Sequence, residues 1–423
     1  MQTFLTKLRL IFEDKSLRNR VLFVIFVLAL FRLGAAIPIP GVNQAELGRF
    51  FQGNQFLGLL NLFSGGGLSN LSIVMLGVGP FITASIIMQL MGMVLPALKE
   101  MYQESGEAGR KKFAQHSRLL SIPLAMLQGF GLLTLLARQG ILGQLSTFDQ
   151  IINVLVVTAG SIILMWIGEL ISEFGIGNGL SLIIFAGIVA QLPTTLSQLI
   201  YQFDISQIVT YLAFIIIAII IVAGVVVVNE AERPVPVTYA KRVRGMKVYG
   251  GQSTYLPLRL NQAGVIPIIF ALSILLFPQM IATFLSGVNI EIIKTISGLI
   301  TKFLANTLVY GSAYFVLVFL FTYFYTAVTF DPVKISENLQ KNGAFIPGTR
   351  PGVPTSEYLS RIVTRITAFG ALFLGVIAIL PIILQAATGQ QSLAIGGTAL
   401  LIVVSVVLEL VKQLNAQLAM REY

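Results

Sequence analysis

The stretch that decides the fold is NLFSGGGLSNLSIVMLGVGPFITASIIMQLM, residues 61–91. It lies inside a charge-free run from Phe50 to Leu98, which is too long for one ordinary membrane span of about 20 residues. Three consecutive glycines at 65–67 interrupt the run. The pattern therefore predicts a short apolar half-helix at about 57–70 and a spanning helix at about 73–95. A half-helix at membrane depth is expected only where it lines or fills a cavity.

The composition indicates an integral membrane protein. Of the 423 residues, 56% are hydrophobic and 11% are charged, whereas soluble domains carry about 25% charged residues. The chain has no Cys and a single His, His116, which excludes a disulfide framework, a thiol nucleophile and a His-based metal cluster within the chain. It also has no phosphate-binding loop motif. We therefore expect no catalytic residue, no metal and no cofactor.

Ten membrane spans are predicted from runs of mostly apolar residues. Their approximate bounds are 20–38, 72–95, 118–138, 149–170, 176–197, 206–229, 261–285, 306–330, 364–386 and 392–416. The first is expected to be retained, because residues 1–20 carry no cleavage site. Of the 28 Lys and Arg residues, 23 fall at the two termini or in the loops 97–118, 230–260 and 331–365, with His116 expected to be exposed in the first of these loops. Since basic residues concentrate on the cytoplasmic side, both termini are predicted to be cytoplasmic.

The chain also resembles itself. The pattern Gly-Val-x-Pro-x-Ile-x-Ala occurs at 77–84 and again at 264–271, and the run 179–184 aligns with 397–402. These segments belong to the second and fifth spans of each half. Because five spans per half is an odd number, the halves 1–200 and 201–423 are predicted to have opposite topology. The predicted fold class is all-α, with ten transmembrane helices in two inverted five-helix halves plus the half-helix.

Two functions fit an inverted repeat of this kind. A passive channel needs a passage and a stopper, whereas a secondary transporter needs ion-coupling or polar side chains near the membrane midplane. Arg32, Glu169 and Glu409 are the ionisable candidates, and both glutamates fall near span ends. This scarcity favours the channel and leaves a small-solute transporter as the alternative. An intramembrane enzyme would need a paired nucleophile and base, which the sequence does not offer.

The loops 230–260 and 331–365 are longer than connection alone requires. Both are basic and rich in Pro, Gly and aromatic residues. They fit two descriptions, either solvated loops that set orientation and attract anionic lipid, or a docking surface for a cytosolic partner.

Four motifs closely resemble those of the SecY family, the central subunits of the bacterial protein-conducting channel, in order and over essentially the whole chain. They are FSGGGLSNLSIVMLGVGPFITASIIMQL, GIGNGLSLIIFAGIVA, YAKRVRGMKVYGGQSTYLPLRLNQAGVIP and KNGAFIPGTRPG. The resemblance implies a clamshell of two inverted halves around an hourglass pore. Unfolded polypeptides would cross the bacterial cytoplasmic membrane through it, and hydrophobic segments would leave sideways into lipid.

The resemblance also implies roles for particular residues. A ring of aliphatic side chains would form the waist of the pore: Val78, Ile82, Leu180, Ile184, Ile269 and Ile402. A plug at about 57–70 would close it, with its hinge at Leu62, Phe63, Ser64, Gly65, Gly66, Gly67, Leu68, Ser69 and Asn70. Thr83 and Phe277 would lie at a lateral gate between the second and seventh spans. Arg242, Arg244, Lys247 and Arg350 would dock cytosolic partners.

The partners that the resemblance implies are small membrane subunits of the SecE and SecG type, the ATPase SecA and the ribosome. Signal peptides, nascent chains and membrane lipid would also be contacted. No specific recognition of nucleic acid is expected beyond ribosome docking.

Overall fold

The computed structural model describes residues 13–40, 61, 64–103, 106–138, 140–142, 146–201, 208–239, 242–244, 247–249, 253–285, 291–388 and 391–419. The helices of the first half are α1 (Lys15–Ala36), α2 (Gly79–Val94), α3 (Pro96–Gln103), α4 (Gly106–Arg138), α5 (Thr147–Phe174) and α6 (Gly179–Tyr201). Those of the second half are α7 (Ile208–Glu230), α8 (Ile266–Leu285), α9 (Glu291–Ala305), α10 (Thr307–Thr329), α11 (Pro332–Lys341), α12 (Val353–Thr388) and α13 (Gln391–Ala419).

The prediction of a polytopic helical membrane protein is confirmed. Each predicted span overlaps one long helix, in the order α1, α2, α4, α5, α6, α7, α8, α10, α12 and α13. Five stretches of the described chain are by themselves long and apolar enough to cross a membrane: Lys15–Ala36, Gly106–Ala137, Thr147–Phe174, Thr307–Lys341 and Val353–Leu380. A sixth candidate is the pair α2 and α3, which is bent by 113°.

The second span differs from its prediction. We expected a helix from residue 73, but residues 73–78 form turns and α2 begins only at Gly79. Gly77 has φ +59°, in the left-handed region that favours glycine, and Pro80 lies in the first turn of α2, where its missing N–H costs nothing. These two residues fix the start of the helix. At the other end, Leu95 leaves helical geometry one residue before Pro96.

The half-helix predicted at about 57–70 does not continue through the glycines. Of that range the structure describes Asn61, which is helical, and residues 64–70, whereas residues 57–60 and 62–63 lie outside the described chain. Residues 64–71 form a run of tight turns, which we call the glycine turn. Gly65 and Gly66 have φ of +63° and +84°, and Leu71 has φ +42°. A right-handed helix cannot pass through such residues.

The two long loops are not loops, and the fold is therefore not all-α. Residues 230–260 contain the strands β1 (Glu232–Tyr239), β2 (Arg242–Arg244), β3 (Lys247–Tyr249) and β4 (Ser253–Arg259), and residues 331–365 contain α11 and β5 (Ala344–Phe345). The strands form an antiparallel sheet in the order β4-β1-β5, with a separate β2-β3 hairpin. Alternation of apolar side chains along β1 and β4 supplies one buried face.

The sheet joins the two loops around a small core of its own. Val235, Val237 and Leu258 of the sheet pack with Ile346 and with Leu359 of α12. Because this core contains side chains from both loops, the two predicted docking segments form one structure. The helix α12 accordingly begins at Val353, well before the span predicted from residue 364.

Two further helices were not predicted. The segment 97–118 contains α3 and the first turns of α4, so His116 is exposed on a helix rather than in a loop, with its Nδ1 2.7 Å from the carbonyl of Lys112. The helix α9 connects α8 to α10 and carries an exposed apolar stripe of Ile292, Ile296, Leu299 and Phe303. Such a stripe on a charged helix is typical of a helix lying in a membrane interface.

The two halves meet along two seams. On one side α8 packs against α2 and α4, and on the other α13 packs against α6. Buried side chains from both halves form one continuous hydrophobic cluster between these seams.

The shared core of the two loops generates a prediction. Leu359 is fully buried, and truncation of such a side chain costs about 2–5 kcal/mol. We expect Leu359→Ala to loosen the sheet and to raise the rate of tryptic cleavage after Arg259 about tenfold or more, since cleavage follows local opening. The matched control is Val353→Ala on the same helix, where the side chain is 71% exposed. Equal cleavage of the Leu359→Ala and parent proteins would contradict a shared core.

Candidate functional site

Five of the six predicted ring positions lie inside the cluster between the two halves. Val78, Ile82, Ile184, Ile269 and Ile402 are each at most 6% exposed, and they come from α2 and the turn before it, α6, α8 and α13. Both seams thus contribute to the same apolar region. The sixth position, Leu180, is half-buried and packs against this cluster. Its side chain also faces α5, where a Cβ on Gly168 would lie 2.9 Å from Leu180 Cδ2.

The repeated motif has the same local geometry in both halves. Gly77 has φ +59° and its counterpart Gly264 has φ +62°. In each case a helix, α2 or α8, begins two residues later. The amide of Ile82 then donates to the carbonyl of Val78 (3.1 Å), as the amide of Ile269 donates to that of Val265 (3.3 Å). Each motif therefore presents an aliphatic side chain on the first turn of a helix.

The glycine turn lies in the same cluster and carries its own hydrogen-bond network. Leu68 and Leu71 are fully buried and belong to the cluster. The hydroxyl of Ser64 accepts from the amide of Leu68 (3.0 Å), and the side-chain oxygen of Asn61 accepts from the amide of Ser69 (2.9 Å). The hydroxyl of Ser72 donates to the carbonyl of Gly67 (2.9 Å). Since peptide groups in an apolar interior must be paired, the Ser, Gly and Asn content of this stretch allows a non-helical turn to be buried.

The glycine turn is seated between α1 and α6. A Cβ on Gly187 of α6 would collide with the backbone of Gly65, and a Cβ on Gly65 would collide with the ring of Phe31 on α1. The chain after the turn is paired with the end of α1, where the amide of Ile39 donates to the carbonyl of Leu71 (2.9 Å) and the amide of Ile73 donates to that of Ile37 (3.0 Å). The turn therefore lies directly against the backbone of α6 on one side and against the ring of Phe31 on the other.

Arg32, the ionisable residue that the sequence left without a role, contacts this turn. Its Nη1 donates to the carbonyl of Gly65 at 2.9 Å. The guanidinium also lies 6.0 Å from the centre of the Phe31 ring, within range of a cation–π interaction. Sequence reasoning missed this role because nothing local connects a residue of the first span to a glycine 33 positions later.

The predicted lateral gate corresponds to the seam of α2 and α4 against α8. Thr83 is half-buried on α2, and its hydroxyl donates to the carbonyl of Gly79 on its own helix (3.0 Å). Phe277 lies on α8, with a side chain outside the described structure. Along α8, Ala271, Leu272 and Leu275 are buried, so this stretch of the helix packs through small and aliphatic side chains.

A polar vestibule adjoins one side of the aliphatic cluster. It is a cavity of about 360 Å³ at the ends of α7 and α13 and the beginnings of α6 and α8. Its lining includes Asn178, Asn229, Arg259, Asn261, Glu409 and Lys412. Asn261 donates to the side chain of Asn229 (2.8 Å), and Lys412 Nζ donates to the carbonyl of Asn229 (2.8 Å). The sequence signal for the vestibule is the group of amide and charged residues at span ends, which sequence reasoning treated as unremarkable.

Glu169, which the sequence analysis placed near a span end, accepts from Nε of Arg118 at 2.6 Å, and this bond joins α5 to α4. Glu409 lies on the vestibule wall near Gln413, whose amide is 3.4 Å away. Both glutamates are therefore hydrogen-bonded to other side chains.

The predicted docking residues lie on the sheet structure and beside it. Arg242 and Arg244 belong to β2 and Lys247 to β3. Arg350 is exposed in the turn between β5 and α12, where its carbonyl accepts from the hydroxyl of Thr355 (2.7 Å). The backbone around Arg350 is thus fixed while its side chain faces outward.

Comparison with known proteins gives the family. The sequence model of the SecY family matches residues 72–411. A curated relative from Mycobacterium tuberculosis, described as protein translocase subunit SecY, is 42% identical over 100% of this chain and 99% of its own length. A relative of the same description from Thermotoga maritima is 43% identical over 97% of this chain and 95% of its own.

Solved structures share the fold. One, described as a protein conducting channel, aligns with a TM-score of 0.63 at 22% identity and covers 94% of this chain and 92% of its own. A second, from work on the plug domain of SecY, aligns with a TM-score of 0.66 at 23% identity and the same coverage. Canine Sec61 from a ribosome–channel complex aligns with a TM-score of 0.60 at 21% identity over 94% of this chain and 92% of its own. The family match over most of the chain and the full-length relatives together show that the chain belongs to the SecY family.

Proposed function

We propose that this chain is the pore-forming subunit of a protein translocase, a passive channel that moves unfolded polypeptides across the bacterial cytoplasmic membrane. The observation that carries the proposal is the aliphatic cluster shared by helices from both halves of the chain, with a buried glycine turn lodged in it. A cluster of this kind is a seal, and a turn held by hydrogen bonds instead of a continuous helix is a part that can be moved. The relatives' description as translocase subunits agrees with this activity.

The membrane topology follows from the ten long helices. In this proposal all ten cross the membrane, and both termini face the cytoplasm because most Lys and Arg residues lie on that side. The vestibule is then the cytoplasmic mouth of the passage, and the sheet formed by the two long loops projects into the cytoplasm. The glycine turn lies on the outer side of the ring positions.

The ring is proposed to seal the passage because its side chains cannot form hydrogen bonds. Aliphatic side chains offer no hydrogen-bonding groups, so an ion cannot replace its hydration shell among them, and a narrow apolar constriction excludes water. The same walls make no sequence-specific contact with a passing chain. A ring of Val78, Ile82, Leu180, Ile184, Ile269 and Ile402 can therefore close around many different substrates.

The seam of α8 against α2 and α4 would be the lateral exit. A hydrophobic segment of about 20 residues gains free energy on leaving water for lipid, so it partitions outward without added energy once the seam opens. Packing of small and aliphatic residues, as at Ala271, can part and close again without leaving charges unpaired. Thr83 and Phe277 are proposed to line this exit.

The driving force would come from partners, because the chain carries no nucleotide-binding motif and the channel itself is not an enzyme. The sheet structure with Arg242, Arg244, Lys247 and Arg350 is proposed to dock the SecA ATPase and the ribosome, and the canine Sec61 structure was obtained with a ribosome. Small membrane subunits of the SecE and SecG type are proposed to accompany the chain. A secondary transporter is not favoured, since the relatives are translocase subunits.

The ring generates a prediction for ion leak. Ile82→Gly combined with Ile184→Gly removes two buried branched side chains, one on α2 and one on α6, and opens the constriction to water. We expect the conductance of the resting protein in planar bilayers to rise at least several-fold. The matched control is Ile216→Gly with Ile219→Gly on α7, whose side chains are 56% and 62% exposed. Unchanged conductance in the Ile82/Ile184 variant would remove the ring from the proposal.

The docking surface generates a second prediction. Arg350→Glu reverses an exposed charge whose backbone is fixed, so a partner that pairs with this cation is repelled while the fold is kept. We expect SecA-driven translocation into proteoliposomes to be lost and membrane insertion of the channel to be normal. Arg361→Glu, an exposed charge reversal on α12, serves as the control and should translocate as the parent does. Normal translocation by Arg350→Glu would contradict the docking role.

A further inference from the structure

Arg32 lies deep along the first span. It is the eighteenth residue of α1, which at 1.5 Å per residue puts it about 26 Å from the cytoplasmic end in the proposed topology. A cation near the outer end of a span is normally stabilised by extending into the headgroup region. Here the guanidinium instead turns inward and donates to the carbonyl of Gly65 at 2.9 Å.

The Gly65 carbonyl receives its donor from another element of the fold. The neighbouring carbonyls of Ser64, Gly66 and Gly67 accept from donors inside the turn or just after it: the amide of Gly67, the hydroxyl of Ser69, and the amide and hydroxyl of Ser72. The bond from Arg32 is therefore a charged tie between the turn and α1. It adds to two neutral ones, from the side chain of Asn70 to the carbonyl of Ala35 on α1 (3.4 Å) and from the amide of Ile39 just after α1 to the carbonyl of Leu71 (2.9 Å). Hydrogen bonds that involve a charged donor are about twice as strong as neutral ones.

The opposite wall of the seat is formed by α6. Gly187 of α6 meets the backbone of Gly65 with no side chain between them, and a Cβ on Gly66 would lie 2.9 Å from Nε2 of Gln191 on the same helix. The same Cβ would lie 3.3 Å from Nη1 of Arg32. The turn thus fits a slot between two helices, and the guanidinium occupies the edge of that slot.

We propose that Arg32 is a positioning residue that holds the glycine turn in its closed seat, an inference that rests on the proposed channel function. In the closed state the guanidinium is compensated by the Gly65 carbonyl and the Phe31 ring. When a substrate displaces the turn, water enters the passage and hydrates the freed cation. The arginine thus stabilises the closed state without making the open state inaccessible, which an apolar contact or a fully buried ion pair would do less well.

The test uses the absence of native Cys. Leu68 is fully buried in the turn, so Leu68→Cys supplies the only thiol and reports when the turn leaves its seat. Labelling by a membrane-impermeant maleimide is measured in resting proteoliposomes. Loss of a hydrogen bond to a charged group shifts a two-state equilibrium about 10- to 100-fold. We therefore expect Arg32→Leu to accelerate labelling by about that factor and Arg32→Lys, which keeps the charge but not the planar fork, to give a smaller increase.

The controls separate this inference from the channel proposal. Arg20→Leu removes an exposed arginine from the same helix and should label at the parent rate. If Arg32→Leu labels at the parent rate while Ile82→Gly with Ile184→Gly still conducts ions, the role of Arg32 is wrong and the channel stands. If Arg32→Leu does not insert, Arg32→Lys decides, and parent-rate labelling of that variant overturns the inference. If the variant with Ile82→Gly and Ile184→Gly also shows no increase in ion conductance, the aliphatic seal itself is refuted.

Discussion

Peptide groups that are buried away from water must be paired inside the protein, and this constraint governs the centre of the molecule. Between its two halves the chain places a stretch that is not a helix, yet its amides and carbonyls are satisfied by Asn61, Ser64 and Ser72 and by Arg32. A continuous helix would satisfy them more simply but could be moved only as a rigid rod. The short polar side chains permit a compact turn that fills an apolar space.

The aliphatic cluster and the turn have complementary properties. In the proposed channel, the cluster excludes water but makes no directional bonds, so it would open and reseal around any chain. The turn makes directional bonds and therefore has one defined resting place. Gly187 is required there because its backbone approaches that of Gly65 with no room for a Cβ, and Gly65 and Gly66 are required because their φ lies in the left-handed region. The residues that fix the position of the turn are thus different from those proposed to close the passage around a substrate.

Sequence reasoning recovered the span order and the buried aliphatics because apolar runs and a repeated motif are local signals. It failed where contacts between residues distant in the sequence determine the local structure. Left-handed glycines cancel the helix expected before Gly79, and the strands in the loop 230–260 depend on β5 and on Leu359 of α12 for their core. The pairs Arg32–Gly65 and Arg118–Glu169 join positions 33 and 51 residues apart, which no window of sequence connects.

The most direct test of the proposed channel is to identify the residues that a polypeptide contacts while it is being translocated. A substrate with a single cysteine is stalled during translocation by a folded domain that cannot pass the channel. This otherwise Cys-free chain receives one cysteine at a time, at Ile184, Ile269 or Ile402. For comparison, the cysteine is placed at the outward-facing Ile163 of α5 or Ile216 of α7. The account predicts disulfide crosslinks to the first three positions and none to the other two. Crosslinks confined to Ile163 and Ile216 would contradict it.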